Sequence, residues 1–258
     1  MTERTFGNCL AIIPARYGSK RFPGKMLAPI LGKSLIQHTY ENAQRSPILK
    51  SIVIATDDVR IYDHVNAFGG KVVMTSPDCV NGTERLAEAY RSNFMHEPID
   101  MILNIQGDEP CIDPEAMAAT LAALAESQDA QMATAVTKIT CAEDALSPSI
   151  VKCVINSSHH AVYFSRALIP NNQSGTYCPA HTYYRHLGIY AYRPKFLLNY
   201  ASFKSMPLQM AEDLEQLKVL ELGHKIKVAI VDSHLAGVDV PEDIHKIERL
   251  LCRQNISL

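Results

Sequence analysis

The stretch Leu10-Ala11-Ile12-Ile13-Pro14-Ala15-Arg16-Tyr17-Gly18-Ser19-Lys20-Arg21-Phe22-Pro23-Gly24-Lys25 decides how the rest of the chain is read. Leu10 to Ile13 has the apolar character of a buried strand. It empties into a loop that carries Arg16, Lys20, Arg21 and Lys25 with no acid among them. Gly18 and Gly24 allow backbone N–H groups to approach a ligand closely. A cationic, glycine-containing turn directly after a strand suits a polyanion, above all the triphosphate of a nucleotide.

Two familiar phosphate loops are excluded by spacing. A Walker loop needs Gly, four residues and then Gly-Lys-Ser/Thr. Between Gly18 and Gly24-Lys25 there are five residues, and Met26 follows. The other candidate, Gly32-Lys33-Ser34, has Leu27 where the first Gly belongs. The Gly-x-Gly-x-x-Gly dinucleotide fingerprint is also absent, which argues against an NAD enzyme.

Working outward, short apolar runs alternate with longer amphipathic ones. Strands are expected at Ser51–Thr56, Lys71–Met74 and Asp100–Ile105. Helices are expected over Ser34–Arg45 from a Ser cap, Asp58–Phe68 before Gly69-Gly70, Thr83–Arg91, and Pro114–Glu126 with Pro in its first turn. This alternation is the pattern of an α/β fold with a mostly parallel sheet flanked by helices. Ligands of such sheets bind beyond the carboxyl ends of the strands, where both the first loop and Gln106-Gly107-Asp108-Glu109-Pro110 fall.

The second half is less regular. Lys152–Ile155 and Ala161–Phe164 read as paired strands about Asn156, Leu187–Tyr192 as a strand, and Asn171–Ala180 as a polar loop. Leu208–Leu222 reads as one helix from the spacing of Leu214, Leu217 and Leu220. Lys225–Val231 is a further strand and Pro241–Cys252 a last helix. No linker or repeat interrupts residues 1–258. One domain is expected, with an inserted β-rich sub-region at about 135–205 that covers the site or builds a dimer contact.

The 258 residues are 47% hydrophobic with a net charge of −2, which suits a globular protein without an extended basic face for nucleic acid. The seven cysteines are scattered with no Cys-x-x-Cys pair and read as reduced thiols of a cytosolic protein. No apolar run is long enough for membrane insertion, and Met1–Thr5 do not lead into a signal-peptide core.

Pro14-Ala15-Arg16-x-x-Ser19-x-Arg21-x-Pro23-Gly24-Lys25 resembles the opening loop of the cytidylyltransferases that activate acidic sugars. Its Arg-x-Pro-Gly-Lys ending is similar to the branch that acts on 3-deoxy-manno-octulosonate (Kdo), whereas the sialic-acid branch has a different middle. Gly82-Thr83-Glu84-Arg85-Leu86, Gln106-Gly107-Asp108-Glu109-Pro110 and Tyr163-Phe164-Ser165-Arg166-x-x-Ile169-Pro170 agree with that family. So do Arg185-His186-Leu187-Gly188-Ile189-Tyr190, Glu212-x-Leu214-Glu215-Gln216-Leu217 and Gly237-Val238-Asp239-x-Pro241-Glu242-Asp243. These blocks keep the family order from residue 11 to 243. One departure is Cys79, where the family commonly has His.

The resemblance implies a Rossmann-like nucleotidyltransferase fold and transfer of CMP from CTP to the 2-hydroxyl of Kdo, supplying lipopolysaccharide biosynthesis. The alternatives are a cytidylyltransferase for a related acid such as sialic acid, a metal-dependent glycosyltransferase, or a non-catalytic nucleotide binder. It further implies Mg²⁺ as cofactor, a homodimer and a cytoplasmic location. Asp108 and Asp239 are assigned as metal ligands. On their residue chemistry alone, Asp108 reads equally as a turn acid and Asp239 as a helix cap before Pro241. Arg16, Lys25, Asp108 and Asp239 form the expected catalytic group. Arg16, Ser19, Arg21, Lys25, Asn81, Gly82, Thr83, Arg85 and Gln106 are expected to bind the nucleotide. Within that set the Asn81–Arg85 turn reads cytosine, or else is a capping turn with Arg85 on the surface. Arg166, His186, Tyr190, Glu215 and Gln216 are expected at the sugar, with Arg166 or His186 meeting its carboxylate. Tyr190 also reads as a core residue, and Glu215 as a solvent-facing one. Asp57-Asp58 are read as a helix cap.

Overall fold

Every residue of β1 (Cys9–Ala15) is buried, as befits a strand covered on both faces of a parallel sheet. The computed structural model describes residues 7–19, 21–233 and 237–256; Lys20 of the first loop and the N-terminal residues lie outside that set. After the loop comes a small hairpin, β2 (Pro29–Ile30) and β3 (Lys33–Ser34). Its turn uses Leu31 and Gly32 at φ of 47° and 81°. Ser34 then caps α1 (Leu35–Gln44), its Oγ accepting from Gln37 N–H at 3.2 Å. β4 (Ser51–Thr56) is followed by α2 (Val59–Ala67). Asp58 caps α2 by accepting from Arg60 N–H at 2.9 Å, the use expected of it. β5 (Val72–Met74), α3 (Gly82–Asn93), β6 (Met101–Asn104) and α4 (Pro114–Glu126) complete the alternation.

The chain divides into two compact units, residues 1–118 with 234–258, and residues 119–233. In the first, β6, β1, β4 and β5 pair side by side, all parallel. Helices α1, α2 and α3 pack against β4. An apolar cluster of Ile30, Leu35, Cys111, Val238 and Ile247 fastens the segment before the closing helix.

The second unit is β-rich and mixed. Its centre is β7 (Ala130–Ile139), followed by α5 (Ala142–Leu146) and the antiparallel hairpin β8 (Lys152–Ile155) and β9 (Ala161–Ser165). β10 (Tyr183–Tyr192) runs antiparallel to β7 and meets β8 at Arg185. Next come α6 (Pro194–Ser202), α7 (Pro207–Glu212), α8 (Leu217–Glu221) and β11 (Lys225–Ile230), which is parallel to β7. The sub-region expected at 135–205 falls inside this unit. The chain ends in α9 (Asp243–Ile256) of the first unit.

The single helix expected over Leu208–Leu222 is instead two short ones. Asp213 adopts the left-handed conformation (φ 54°, ψ 48°) and closes α7. The Tyr200 hydroxyl donates to the Glu215 carbonyl at 2.7 Å. Leu214 and Leu217 are buried on either side of the break, so the leucine spacing survives while the backbone turns. The strand β7 and helices α5 and α6 were not expected from sequence. All seven cysteines are free. Among the described residues no helix is long and apolar enough to cross a membrane.

One buried cation organises the second unit. Lys152 is 0% exposed, and its ammonium donates to the carbonyls of Ser147 (2.8 Å), Ile150 (2.7 Å) and Arg166 (2.5 Å). Burial draws its pKa downward. Replacing it with methionine keeps the packing volume but removes the donor from three carbonyls. Lys152→Met should cost about 2–4 kcal/mol in urea unfolding; an unchanged midpoint would contradict this role.

Candidate functional site

The first loop leaves β1 and is shaped by Tyr17. Its carbonyl accepts from Ser19 N–H at 3.0 Å and from Gly24 N–H at 2.9 Å. Gly24 has a φ of 71°, and a Cβ there would stand 3.1 Å from the Tyr17 ring, so only glycine fits comfortably. The Arg60 guanidinium lies 3.3 Å from the Tyr17 ring centroid and is itself paired with Asp58 at 2.6 Å. This Tyr17–Arg60–Asp58 stack has no motif signature, because Tyr17 is far in sequence from the Asp58–Arg60 pair.

The loop ends by delivering Lys25, 7% exposed, beneath two acids. Its ammonium lies 2.5 Å from Asp108 Oδ2, donates to the Val238 carbonyl at 3.0 Å and is 3.9 Å from Asp239 Oδ1. Arg21 donates to the same Asp239 oxygen at 2.8 Å. Three of the four residues expected to be catalytic are thus within one charged cluster. Arg16 is exposed on the loop just outside β1, and Ser19 is half-buried in the turn below Tyr17.

Asp108 is held by its backbone. Thr39 of α1 donates to the Gly107 carbonyl at 2.9 Å, and Glu109 N–H donates to Gln106 O at 3.1 Å. A Cβ at Gly107 would come within 2.8 Å of the Pro14 carbonyl, so this turn lies against the end of β1 only because residue 107 is glycine. The Asp239 segment is laid on it: Val238 N–H donates to the Asp108 carbonyl at 2.9 Å. Gly237 has room for no more than a close contact there, with the Asp108 carbonyl 3.3 Å from a Cβ position. Asp243 Oδ2 accepts from both Asp239 N–H (2.8 Å) and Val240 N–H (3.0 Å), fixing the turn at the start of α9. Asp243, not Asp239, supplies the carboxylate that caps this turn.

The two carboxylates and the donor set suit a hard cation. Mg²⁺ takes oxygen ligands, usually one or two carboxylates with the remainder from phosphate and water. Asp108 and Asp239 already share one positive neighbour, Lys25. Among the described residues there is no group of three or more His, Cys, Asp or Glu side chains around a common point.

The Asn81–Arg85 turn is a capped helix start. Asn81 Oδ1 accepts from Glu84 N–H at 2.8 Å, and Glu84 Oε2 accepts from the N–H of Val80, just before the cap, at 3.0 Å. Gly82 packs on Pro14, 3.6 Å from a Cβ position, so the turn borders the end of β1. Thr83 is buried beside it. Arg85 is neither a surface residue nor an open donor. It is 3% exposed and donates to Asp57 Oδ2 at 2.8 Å and Thr75 Oγ1 at 2.5 Å. A guanidinium below a helix needs these partners to offset its lost hydration, so Arg85 ties α3 to the ends of β4 and β5. Only Asp58 of the Asp57-Asp58 pair is a cap; Asp57 is the counter-ion of Arg85. Gln106 is half-buried at the end of β6.

In the second unit, His186, Tyr190 and Gln216 meet directly. The His186 and Tyr190 rings are 5.4 Å apart, and Tyr190 Oη donates to Gln216 Oε1 at 3.3 Å. Tyr190 is therefore half-buried with its hydroxyl in a polar contact. Gln216 is buried; Glu215, half-buried, precedes it in the break between α7 and α8. Arg166 is anchored separately: its Nε donates to Glu212 O (3.3 Å) and its Nη1 to Pro148 O (3.2 Å). Glu212 also accepts from Ser165 Oγ at 2.7 Å and Arg166 N–H at 3.1 Å. No carboxylate among the described residues lies within ion-pair distance of the Arg166 guanidinium, so its charge remains available to an anion.

The cytidylyltransferase family model matches residues 10–226. A 3-deoxy-manno-octulosonate cytidylyltransferase of Protochlamydia amoebophila is 54% identical over 98% of this chain and 97% of its own. The mitochondrial 3-deoxy-manno-octulosonate cytidylyltransferase of Arabidopsis thaliana is 49% identical over 96% of this chain and 84% of its own. Among solved structures, a CMP:2-keto-3-deoxy-manno-octonic acid synthetase in complex with CTP superposes with a TM-score of 0.88 at 38% identity. It covers 96% of this chain and 100% of that one. With cations, paired acids and a glycine turn gathered where its strands end, the chain belongs to the cytidylyltransferase family, in its 3-deoxy-manno-octulosonate branch.

Proposed function

We propose that this chain transfers CMP from CTP to the 2-hydroxyl of Kdo, releasing CMP-Kdo and pyrophosphate. The observation that carries the reading is the cluster of Lys25, Arg21, Asp108 and Asp239 at the mouth of a parallel sheet. In the reaction the anomeric oxygen of Kdo forms a bond to the α-phosphorus. The bond from that phosphorus to the bridging oxygen of the β-phosphate breaks, and pyrophosphate leaves with the electron pair.

The chain's own residues bind and orient. Arg16, Arg21 and Lys25 offset the charge of the triphosphate, with Ser19 in the same turn. Asn81, Gly82, Thr83 and Gln106 border the place where cytosine would be read, and Arg85 holds that border in position from below. Arg166 offers the charge for the sugar carboxylate, and Tyr190, Glu215 and Gln216 offer partners for hydroxyls. Asp108 and Asp239 would hold Mg²⁺, which supplies neutralisation of the phosphate charge and a more acidic attacking hydroxyl. Positioning and charge compensation are then the main sources of rate.

The same reading includes a homodimer, a cytoplasmic location and a product that feeds lipopolysaccharide synthesis. The seven free thiols support a reducing compartment. The Arabidopsis relative carries a mitochondrial designation in its own name.

Pyrophosphate release from CTP and Mg²⁺ tests the reading. Release should occur with Kdo and stop with chelator. Release with sialic acid in place of Kdo would overturn the sugar assignment, and release with neither acceptor would overturn the transfer reaction. Asp108→Ala should fold and yet lose turnover by about 10²-fold or more. Turnover near that of the unmodified enzyme at saturating Mg²⁺ would remove Asp108 from the metal site.

A further inference from the structure

In the second unit, a buried hydroxyl outside every family motif decides the chemistry of His186. Thr134 of β7 is 0% exposed. It sits where the pairing with β10 slips, from Leu187 opposite Ala135 to Tyr190 opposite Thr134. Gly188 and Ile189, the two extra residues, bulge, and the carbonyls of Leu187 and Ile189 face the threonine. Thr134 Oγ1 lies 2.7 Å from Ile189 O, 3.3 Å from Leu187 O and 3.0 Å from His186 Nε2.

A threonine hydroxyl has one hydrogen and two lone pairs. The carbonyl oxygens can only accept, so that hydrogen is directed at Ile189 O, the shorter contact. The hydroxyl is then an acceptor toward His186, and Nε2 must carry a proton. The imidazole is kept neutral by its surroundings: burial pushes its pKa down to about 3. Its ring is edge-on to Phe164 (5.0 Å, 75°) and tilted against Tyr190 (5.4 Å). A neutral ring protonated at Nε2 has a bare lone pair at Nδ1. Nδ1 has no hydrogen-bond partner among the described residues.

We propose that Thr134 is a positioning residue that locks His186 in the Nε2–H tautomer, so that Nδ1 accepts a hydrogen bond from a sugar hydroxyl. This rests on the reading of His186, Tyr190 and Gln216 as part of the sugar site. It removes His186 as a partner for the sugar carboxylate, since two acceptors facing each other repel. That role passes to the Arg166 guanidinium. The lock also discriminates: a hydroxyl at that position donates to Nδ1, whereas an acceptor or a missing group leaves the lone pair unmatched.

Nitrogen-15 NMR of the histidine side chains in the whole protein, with His186 identified from the spectrum of His186→Gln, reads the tautomer without any substrate. Steady-state kinetics of Thr134→Val, nearly isosteric, and Thr134→Ser, which keeps the hydroxyl, read its consequence. The expected result is protonated Nε2 and bare Nδ1 at neutral pH in the unmodified protein and in Thr134→Ser. Thr134→Val should lose that uniform tautomer and raise KM for Kdo about tenfold, with KM for CTP unchanged. An Nδ1–H tautomer or an imidazolium in the unmodified protein would overturn the lock while leaving the sugar site standing. The expected tautomer, lost in Thr134→Val with KM for Kdo unmoved, would instead overturn the placement of His186 at the sugar. Thr134→Ser behaving like Thr134→Val in both readouts would overturn the hydroxyl's role.

Discussion

The ammonium of Lys25 is the contact on which the first unit's site depends. It joins three segments that are distant in the chain: the loop after β1, the turn after β6 and the stretch leading into α9. It meets Asp108 Oδ2 at 2.5 Å and the Val238 carbonyl at 3.0 Å, with Asp239 Oδ1 at 3.9 Å. Without that charge, Asp108 would lose its ion-pair partner and Asp239 would keep only Arg21. With it, the two carboxylates are held beside one shared ammonium. The rest of the local structure serves this placement. Gly107 and Gly237 let two backbones approach and Gly24 lets the loop pass the Tyr17 ring, Thr39 holds the Gly107 carbonyl, and Asp243 fixes the turn under Asp239.

The second unit solves a different problem with neutral groups. Its polar residues line a strand interrupted by a bulge and the break between two short helices, where backbone carbonyls and side chains become available. Cations there are mostly spent on backbone: Lys152 on three carbonyls and Lys218 on those of Tyr200 and Phe203. Arg166 has no ion-pair partner among the described residues and is tethered by two carbonyls. The second unit thus sets an oriented guanidinium among uncharged donors and acceptors, whereas the first unit concentrates its charges.

Much of the first unit was legible in the sequence, because its signals are local. Ser34 and Asp58 cap the helices that follow them, Pro114 opens α4, and continuous apolar runs mark buried parallel strands. The second unit was less legible for identifiable reasons. β7 is built largely of Ala and Thr, small residues that pack on both faces without a strong period. The leucines at 214, 217 and 220 keep helical spacing across a backbone turn that only the φ of Asp213 reveals. At the site, motif residues announced themselves, but their partners did not. Arg85 read either as part of a turn that reads cytosine or as a surface residue of a capping turn, and its ion pair with Asp57 had no local signal; neither Thr134 nor Tyr17 belongs to a pattern that singles it out.

A double-mutant cycle on Lys25 and Asp108 tests the dependence most directly, with stability measured by urea unfolding in the absence of divalent cations. Lys25→Met and Asp108→Asn should each destabilise the protein, and the pair together should cost less than the separate losses by about 2 kcal/mol. Strictly additive losses would contradict the ammonium's place as the tie between these segments.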